Sequence, residues 1–292
     1  MFSYAIITDE VSQDLDVIIK FVQEFQLDGI EIRSIWDKPP HQLDNDEMDL
    51  IKGKIQDAGL KVFGIATPFL KCNIDNDEEY REHLDILRTS IKLAQTLGTN
   101  LIRVFAFWRR DPFELYMDQI VEKYKEPIQI AESEGVVLGM ENEASTMIGT
   151  GRDTHQLVKR LDSPAVQVIW DPCNEFHDDR GEAPYPHGYN HVKDQIAHVH
   201  IKDAVQKSPA GAVCVPMGTG EIDYKGQFAA LRDDGFTGCV SLETHWRPKP
   251  DQIEKDLLDR PGGRAFSEMG EEASRICFEN TFELLKGLGI GR

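Results

Sequence analysis

Four short segments in the second half of the chain each close an apolar run with a side chain that suits a metal ion. They are GVVLGMENE, AVQVIWDPCN, IAHVHIKD and GCVSLETHW, and the residues are Glu141, Asp171, His200 and Glu243. Each run reads as a buried parallel strand, with its polar group at or near the C-terminal end. In a parallel β/α fold those ends meet on the face where active sites are built. Three carboxylates and one imidazole converging on a point would repel one another without a cation among them. The expectation is one divalent ion held by oxygen and nitrogen donors, and such a set suits Mn²⁺, Mg²⁺, Co²⁺ or Zn²⁺ without choosing among them.

Side-chain alternation decides which groups look inward. In HVHIKD, His198, His200 and Lys202 share a face, which puts His200 near the rim and Lys202 just above it, where an ammonium could neutralise an alkoxide beside the metal. In SLETHW, Ser241, Glu243 and His245 share a face. Glu141 and Glu143 also share one, so either could be the ligand, with Glu141 closer to the end of its apolar run. Asp171 precedes Pro172, which stops the strand there, and a lone acid at such a position is equally suited to cap a helix. His198 reads as a hydrogen-bonded core histidine.

These residues need a scaffold of alternating strands and helices. Strands are predicted over 2–8, 29–34, 61–66, 101–107, 136–141, 166–171, 196–201 and 239–243, several of them near-continuous Val/Ile-rich runs as expected when both faces are covered. Between them lie amphipathic stretches such as DLDVIIKFVQEFQL, with Leu15, Ile18, Ile19, Val22 and Phe25 on one face, and EEYREHLDILRTSIKLAQTLG, with Gly98 as its C-terminal cap. Eight such units in 292 residues predict a single-domain (β/α)8 TIM barrel spanning 1–292. Two long Pro-, Gly- and charge-rich segments, 173–189 after the sixth strand and 246–270 after the eighth, are expected to be loops placed to cover a substrate.

Composition narrows the function. The formal charge of −19, from 32 basic and 51 acidic residues, excludes the basic footprint of a nucleic-acid binder and disfavours an anionic membrane surface. The N-terminus MFSYAIITDE lacks a basic leader and a long apolar run. Five scattered cysteines without a CxxC pair fit free thiols in a reducing, cytoplasmic setting. The final helical stretch, EEASRICFENTFELLKGLG, has apolar positions that could face the barrel or a second copy in a homo-oligomer.

The motifs DGIEIRS, GLKVFGIATPF, IRVFAFW, MENEA, IWDPCN, HVHIKD, SLETH and VPMGTGEIDYKGQFAAL together resemble those of the sugar phosphate isomerase/epimerase superfamily, the xylose isomerase-like TIM barrels. The resemblance runs nearly end to end. It implies a metal held by Glu141, Asp171, His200 and Glu243, resolving the choice toward Glu141, and a carbohydrate-metabolism enzyme in which Glu141 and Glu243 exchange protons with the substrate through an enediolate, whose charge Lys202, by its own position, could neutralise. The implied substrate is a small sugar, sugar phosphate or keto-polyol. A dehydratase acting on an inosose-like or dehydroshikimate-like compound is the alternative, and a non-catalytic sugar-binding barrel is a third. Asn174 stands where tagatose-type epimerases have a histidine. The segments IATPF and VFAFW lack the extra histidines of endonuclease IV, which puts DNA repair well down the list.

Candidate substrate contacts are Arg33, on the inward face with Glu31 and carrying a guanidinium that matches a carboxylate or phosphate, with Asn174, Glu143, His245 and Trp246. Lys71, Arg109 and Arg110 read as solvated loop charges. Trp36, Phe69 and Phe107 are expected to pack ordinarily.

Overall fold

The structure, a computed structural model, describes residues 2–208, 211–248 and 262–291. Eight parallel strands close into a barrel: β1 (Ser3–Ile7), β2 (Gly29–Ile32), β3 (Lys61–Ile65), β4 (Leu101–Val104), β5 (Val137–Glu141), β6 (Val166–Trp170), β7 (Ile196–Ile201) and β10 (Cys239–Leu242), which pairs with β1. Every predicted strand is present, most of them shorter at the C-terminal end because the chain turns off the barrel to form the rim. Two strands were not foreseen. The hairpin β8 (Asp203–Ser208) and β9 (Gly211–Val215) pairs antiparallel just after β7, in a stretch whose polar composition hid its alternation.

The surrounding helices follow from their caps and apolar faces. Helix α1 (Leu15–Glu24) buries Leu15, Ile18, Phe21 and Val22, with Asp14 accepting from the Asp16 amide as its N-cap. Phe21 is inside while Ile19 is only partly covered. Helix α2 (Asn45–Asp57) starts on a capping box between Asp44 and Glu47. Helix α3 (Asp77–Leu97) ends at Gly98 with φ 75°, the left-handed conformation that glycine adopts without steric cost. Helices α4 (Met117–Glu134) and α5 (Gly151–Leu161) complete the next two units. The 173–189 segment is not a plain loop: it opens with helix α6 (Pro172–His177), and its end enters helix α7 (Tyr189–Val192). Helix α8 (Tyr224–Asp233) starts at Asp223, whose side chain accepts from the Gly226 amide. Of the predicted loop 246–270, residues 249–261 lie outside the described residues, and the remainder includes helix α9 (Arg264–Ser267). The last helix, α10 (Gly270–Gly287), buries Ala273, Cys277, Phe278 and Leu285, and Phe278 lies 5.7 Å from Phe25 of the first β/α unit. Its apolar face therefore meets the barrel.

The inside of the barrel departs from the usual aliphatic layers. Glu31, Arg103, Glu141, His198, His200 and Ser241 are all buried there. Small partners make the room: Ala5 pairs with both Ser241 and Gly29, and Gly139 with both Arg103 and Gln167. A Cβ on Gly139 would lie 2.7 Å from Ile169 and 2.9 Å from Leu101, so only glycine fits that contact. No described helix is long and apolar enough to cross a membrane.

Candidate metal centre

The four strand-end residues meet. Glu141 ends β5, Asp171 follows β6, His200 lies in β7 and Glu243 follows β10; each offers a donor atom within 4.8 Å of the others, and all four are buried. The choice between Glu141 and Glu143 has a geometric counterpart: Glu143 turns away to pair with Lys71 at 3.0 Å.

Asp171 fills both roles that its position suggests. Its Oδ1 accepts from the backbone amides of Cys173 and Asn174 at 2.8 and 2.9 Å, capping α6. Its Oδ2 faces the centre and contacts the Lys202 ammonium. Burial lifts its carboxyl to about 6, with Glu243 and Glu141 adding to the shift and Lys202 opposing it. Lys202 also reaches Glu243 Oε2 at 2.5 Å. Burial works against the Glu243 carboxylate too, but Lys202, His245 and Arg33 outweigh it and hold that group well below the usual range.

His200 is aimed from behind. Its Nδ1 lies 2.8 Å from Glu141 Oε1, and its Nε2 lies 2.9 Å from Glu31 Oε2. Burial alone would depress its pKa, yet Glu31 and Glu141 raise it well above the ordinary histidine value. Glu31 also accepts from His198, whose Nε2 is 3.0 Å away, so His198 is the hydrogen-bonded core histidine that its position predicts. A carboxylate that fixes the outer nitrogen of a ligating histidine sets its tautomer and ring angle. Glu31 was visible in the sequence only as a face-mate of Arg33; its role needed the register of β2 across the barrel from β7.

The donor set fits a divalent ion on two observations. Oε2 of Glu141 is buried and has no hydrogen-bond partner, although Arg103 stands 3.2 Å off as an ion pair. The buried carboxylates Asp9, Glu10, Glu31, Glu141, Asp171 and Glu243 face the buried cations Arg33, Arg103, Lys202 and Arg247. Carboxylates gathered in a low-dielectric site are unfavourable unless cations offset them, and a divalent cation among Glu141, Asp171 and Glu243 would add to the compensation already there.

The candidate substrate contacts separate in space. Arg33 is buried and bound to Asp9 at 2.8 Å, Glu10 at 2.6 Å and Glu243 at 2.7 Å, so its guanidinium positions carboxylates. Asn174 donates to Glu141 Oε1 at 3.3 Å and to the Asn142 carbonyl at 2.9 Å. The His245 ring sits 3.4 Å from Glu243 Oε1 on a residue with φ 45°; the left-handed turn swings the chain across the mouth. Trp246 packs partly buried against the core. Lys71, read as solvated, is 13% exposed and lies 4.4 Å over the Phe105 ring. Arg109 and Arg110 do pair with surface acids, Asp179 and Asp75 among them. Asp9 and Glu10 also follow an apolar run, that of the first strand, but lie far in sequence from the four donors, while Arg103 sits within β4 and Arg247 in the loop after β10; none of the four was singled out from the sequence.

A cleft of about 390 Å³ opens on the β2–β4 side of the mouth, lined in part by Arg33, Ser34, Lys71, His83, Trp108 and Gly263. Trp108, not Trp36, Phe69 or Phe107, supplies its exposed aromatic wall; Phe69 and Phe107 are fully buried. Leu70 donates its amide to Nδ1 of His83 at 2.7 Å, and burial lowers the His83 pKa to about 4. The ring is therefore neutral, with its proton on Nε2.

Beside the centre, Glu175 accepts the Gly151 and Glu182 amides, each at 3.1 Å, and burial lifts it from 4.5 to about 7. A carboxyl raised in the fold favours the native state while it is protonated there, and that contribution fades as pH climbs from 4.5 toward 7. The slope is on the order of 1.4 kcal/mol per unit. Glu175→Gln removes this titration, so the native chain should lose stability relative to the variant between pH 5 and pH 8. Thermal melts of both proteins across that range check it, and parallel curves would contradict it.

Fold and site define a (β/α)8 barrel with a carboxylate–imidazole centre at its C-terminal mouth. Residues 19–259 match the xylose isomerase-like TIM barrel family, and the chain belongs to it. It is similar to L-ribulose-5-phosphate 3-epimerase UlaE of Salmonella paratyphi C (strain RKS4594), with 24% identity over 178 residues covering 58% of this chain and 58% of that protein. The matched region is thus a little over half of that relative's length. Among solved structures, the IOLI protein with a bound zinc atom superposes with a TM-score of 0.75 at 19% identity, covering 98% of this chain and 99% of that one. The probable 3-DHS dehydratase AsbF of Bacillus anthracis gives 0.73 at 17% identity, over 96% and 99%. These two likenesses concern the fold.

Proposed function

We propose that the chain is a divalent-metal-dependent isomerase or epimerase of a small sugar or keto-polyol, phosphorylated or not. The observation that carries this reading is the convergence of Glu141, Asp171, His200 and Glu243 within 4.8 Å at the barrel mouth. The sugar epimerase named among the relatives supports the substrate class.

A cation held by these four residues would polarise the carbonyl of a bound substrate and so acidify the neighbouring C–H. The chain's own groups do the rest. Glu243 is kept ionised by Lys202, His245 and Arg33, ready to accept a proton. Glu141 approaches from β5 with an oxygen that no hydrogen bond occupies, so the two carboxylates can serve opposite faces of one carbon. The Lys202 ammonium offers a positive charge to an oxygen that gains electron density. Glu31 keeps Nδ1 of His200 turned inward, and the cleft beside Arg33 is large enough for a monosaccharide.

A dehydratase begins with the same proton removal. His245 favours it as a second reading, because its Nε2 is buried without a hydrogen-bond partner and lies 3.4 Å from Glu243, placed to protonate a departing hydroxide.

Metal analysis of the purified protein should find at least one divalent equivalent, removable by chelator. The loaded protein, incubated with a panel of ketoses and keto-polyols in D₂O, should place deuterium at the carbon beside the carbonyl. A changed stereocentre without a new chromophore marks the epimerase, and an ultraviolet-absorbing enone marks the dehydratase. Absence of exchange with every metal and substrate tried would overturn both, leaving the non-catalytic binder.

A further inference from the structure

A second group of metal-liking side chains, none of them in the quartet, gathers where helix α6 meets the hairpin. Cys173 and His177 stand four residues apart on α6 (Pro172–His177), a spacing that puts both on one helical face. Cys214 comes from β9 (Gly211–Val215), where it pairs across the hairpin with Ala204. The donor atoms of these three residues lie within 4.8 Å of one another. Cys173 is fully buried, while Cys214 and His177 are partly covered, which leaves a way in for an ion. No disulfide joins the cysteines.

The imidazole supplies the second observation. Nε2 of His177 is shielded from solvent and makes no hydrogen bond of good geometry, and the ring's polar neighbour is the Cys214 thiol. Leaving such a nitrogen without a well-formed hydrogen bond is unfavourable, and a core built only for packing would avoid it. A disulfide between Cys173 and Cys214 would leave that nitrogen unpaired, whereas a cation engages all three groups.

We propose that Cys173, His177 and Cys214 form a second metal site for a thiophilic divalent cation, zinc, with a fourth position open to water. Two sulfurs and one ring nitrogen match the ligand chemistry of zinc and reject magnesium and manganese, which require oxygen. Binding forms two metal–sulfur bonds and one metal–nitrogen bond and releases the two thiol protons to solvent. The ion would staple the hairpin to α6. Because the Cys173 amide donates to Asp171 Oδ1 at 2.8 Å, the staple also steadies the loop that presents Asp171 to the quartet.

The test is a Co²⁺ titration of the reduced full-length protein carrying Glu243→Gln, which weakens the quartet without touching the thiols. A thiolate-to-cobalt charge-transfer band should rise, saturate at one equivalent and disappear when zinc is added. Adding Cys214→Ser should abolish the band, and His177→Gln should weaken Co²⁺ binding about tenfold or more. The partly exposed His177 keeps the test available if the cysteine variant does not fold. No charge-transfer band in the reduced protein, or a band untouched by Cys214→Ser, would overturn the proposal. So would thiol titration showing Cys173 and Cys214 already joined in freshly purified protein. Quartet failure is read separately, as loss of Mn²⁺ binding by the protein with Glu243 intact, since manganese is not bound by thiolates.

Discussion

Glu243→Gln is expected to leave the barrel folded while reducing turnover by about 10³-fold or more, the scale set by losing a general acid–base group together with a metal ligand. The substitution keeps the side-chain volume, so packing against β7 and β1 is retained. It removes the charge that Arg33 meets at 2.7 Å, Lys202 at 2.5 Å and His245 at 3.4 Å. Those three groups are then left facing a neutral amide, and two of them, Arg33 and Lys202, are deeply buried. A modest loss of thermal stability should accompany the loss of activity. The measurement is solvent-deuterium exchange into substrate by the metal-loaded variant, with its metal content and melting temperature taken on the same sample. Exchange within tenfold of the unaltered protein would remove Glu243 from the chemistry.

The second large effect concerns a residue outside the quartet that holds one of its members from behind. Glu31→Ala should destabilise the fold by about 3–5 kcal/mol, because it strips the shared carboxylate from two buried imidazoles. His198 and His200 lie 3.0 and 2.9 Å from Glu31 Oε2, and all three are fully or almost fully buried. Burial would raise the Glu31 pKa, yet the two rings hold it well below the ordinary value. The milder Glu31→Gln should keep the fold and still weaken metal binding about 10–100-fold, the cost of losing an outer hydrogen bond to a ligating histidine. Denaturant unfolding reads the first variant, and competitive metal titration reads the second. If Glu31→Gln binds metal as tightly as the native chain, Glu31 is a packing residue only.

Much of the centre is legible from local pattern. Period-two alternation together with the rule that parallel strands end on one face is enough to bring Asp171, His200, Glu243 and one of Glu141 or Glu143 into register, because strand parity is a property of the chain itself; the choice of Glu141 came from the family resemblance. His198 as a core histidine and Asp171 as a helix cap follow from the same reasoning. Arg33 shows the limit. Its inward parity was readable, but the partners that bind it, Asp9 and Glu10 on the turn after β1 and Glu243 after β10, are 23 to 210 residues away. Without them, a guanidinium at a barrel mouth looks like an anion receptor. Lys71 erred in the opposite direction: its loop position suggested solvent, and the Phe105 ring and Glu143 cover it.

The hairpin β8–β9 and the α6 cysteine–histidine group mark the same boundary. Cys173 and His177 are close in sequence, but nothing local announces that Cys214 will be laid against them by an antiparallel excursion between β7 and α8. The sequence alone therefore determined the barrel, the order of its units and the strand ends that carry the candidate donors, since those depend on short-range periodicity. Tertiary structure decided which charges neutralise one another, that Glu31 aims His200, where the cleft opens and where the thiols gather. Those outcomes depend on side chains meeting across the closed barrel, and closure is a long-range event that no window of the sequence contains.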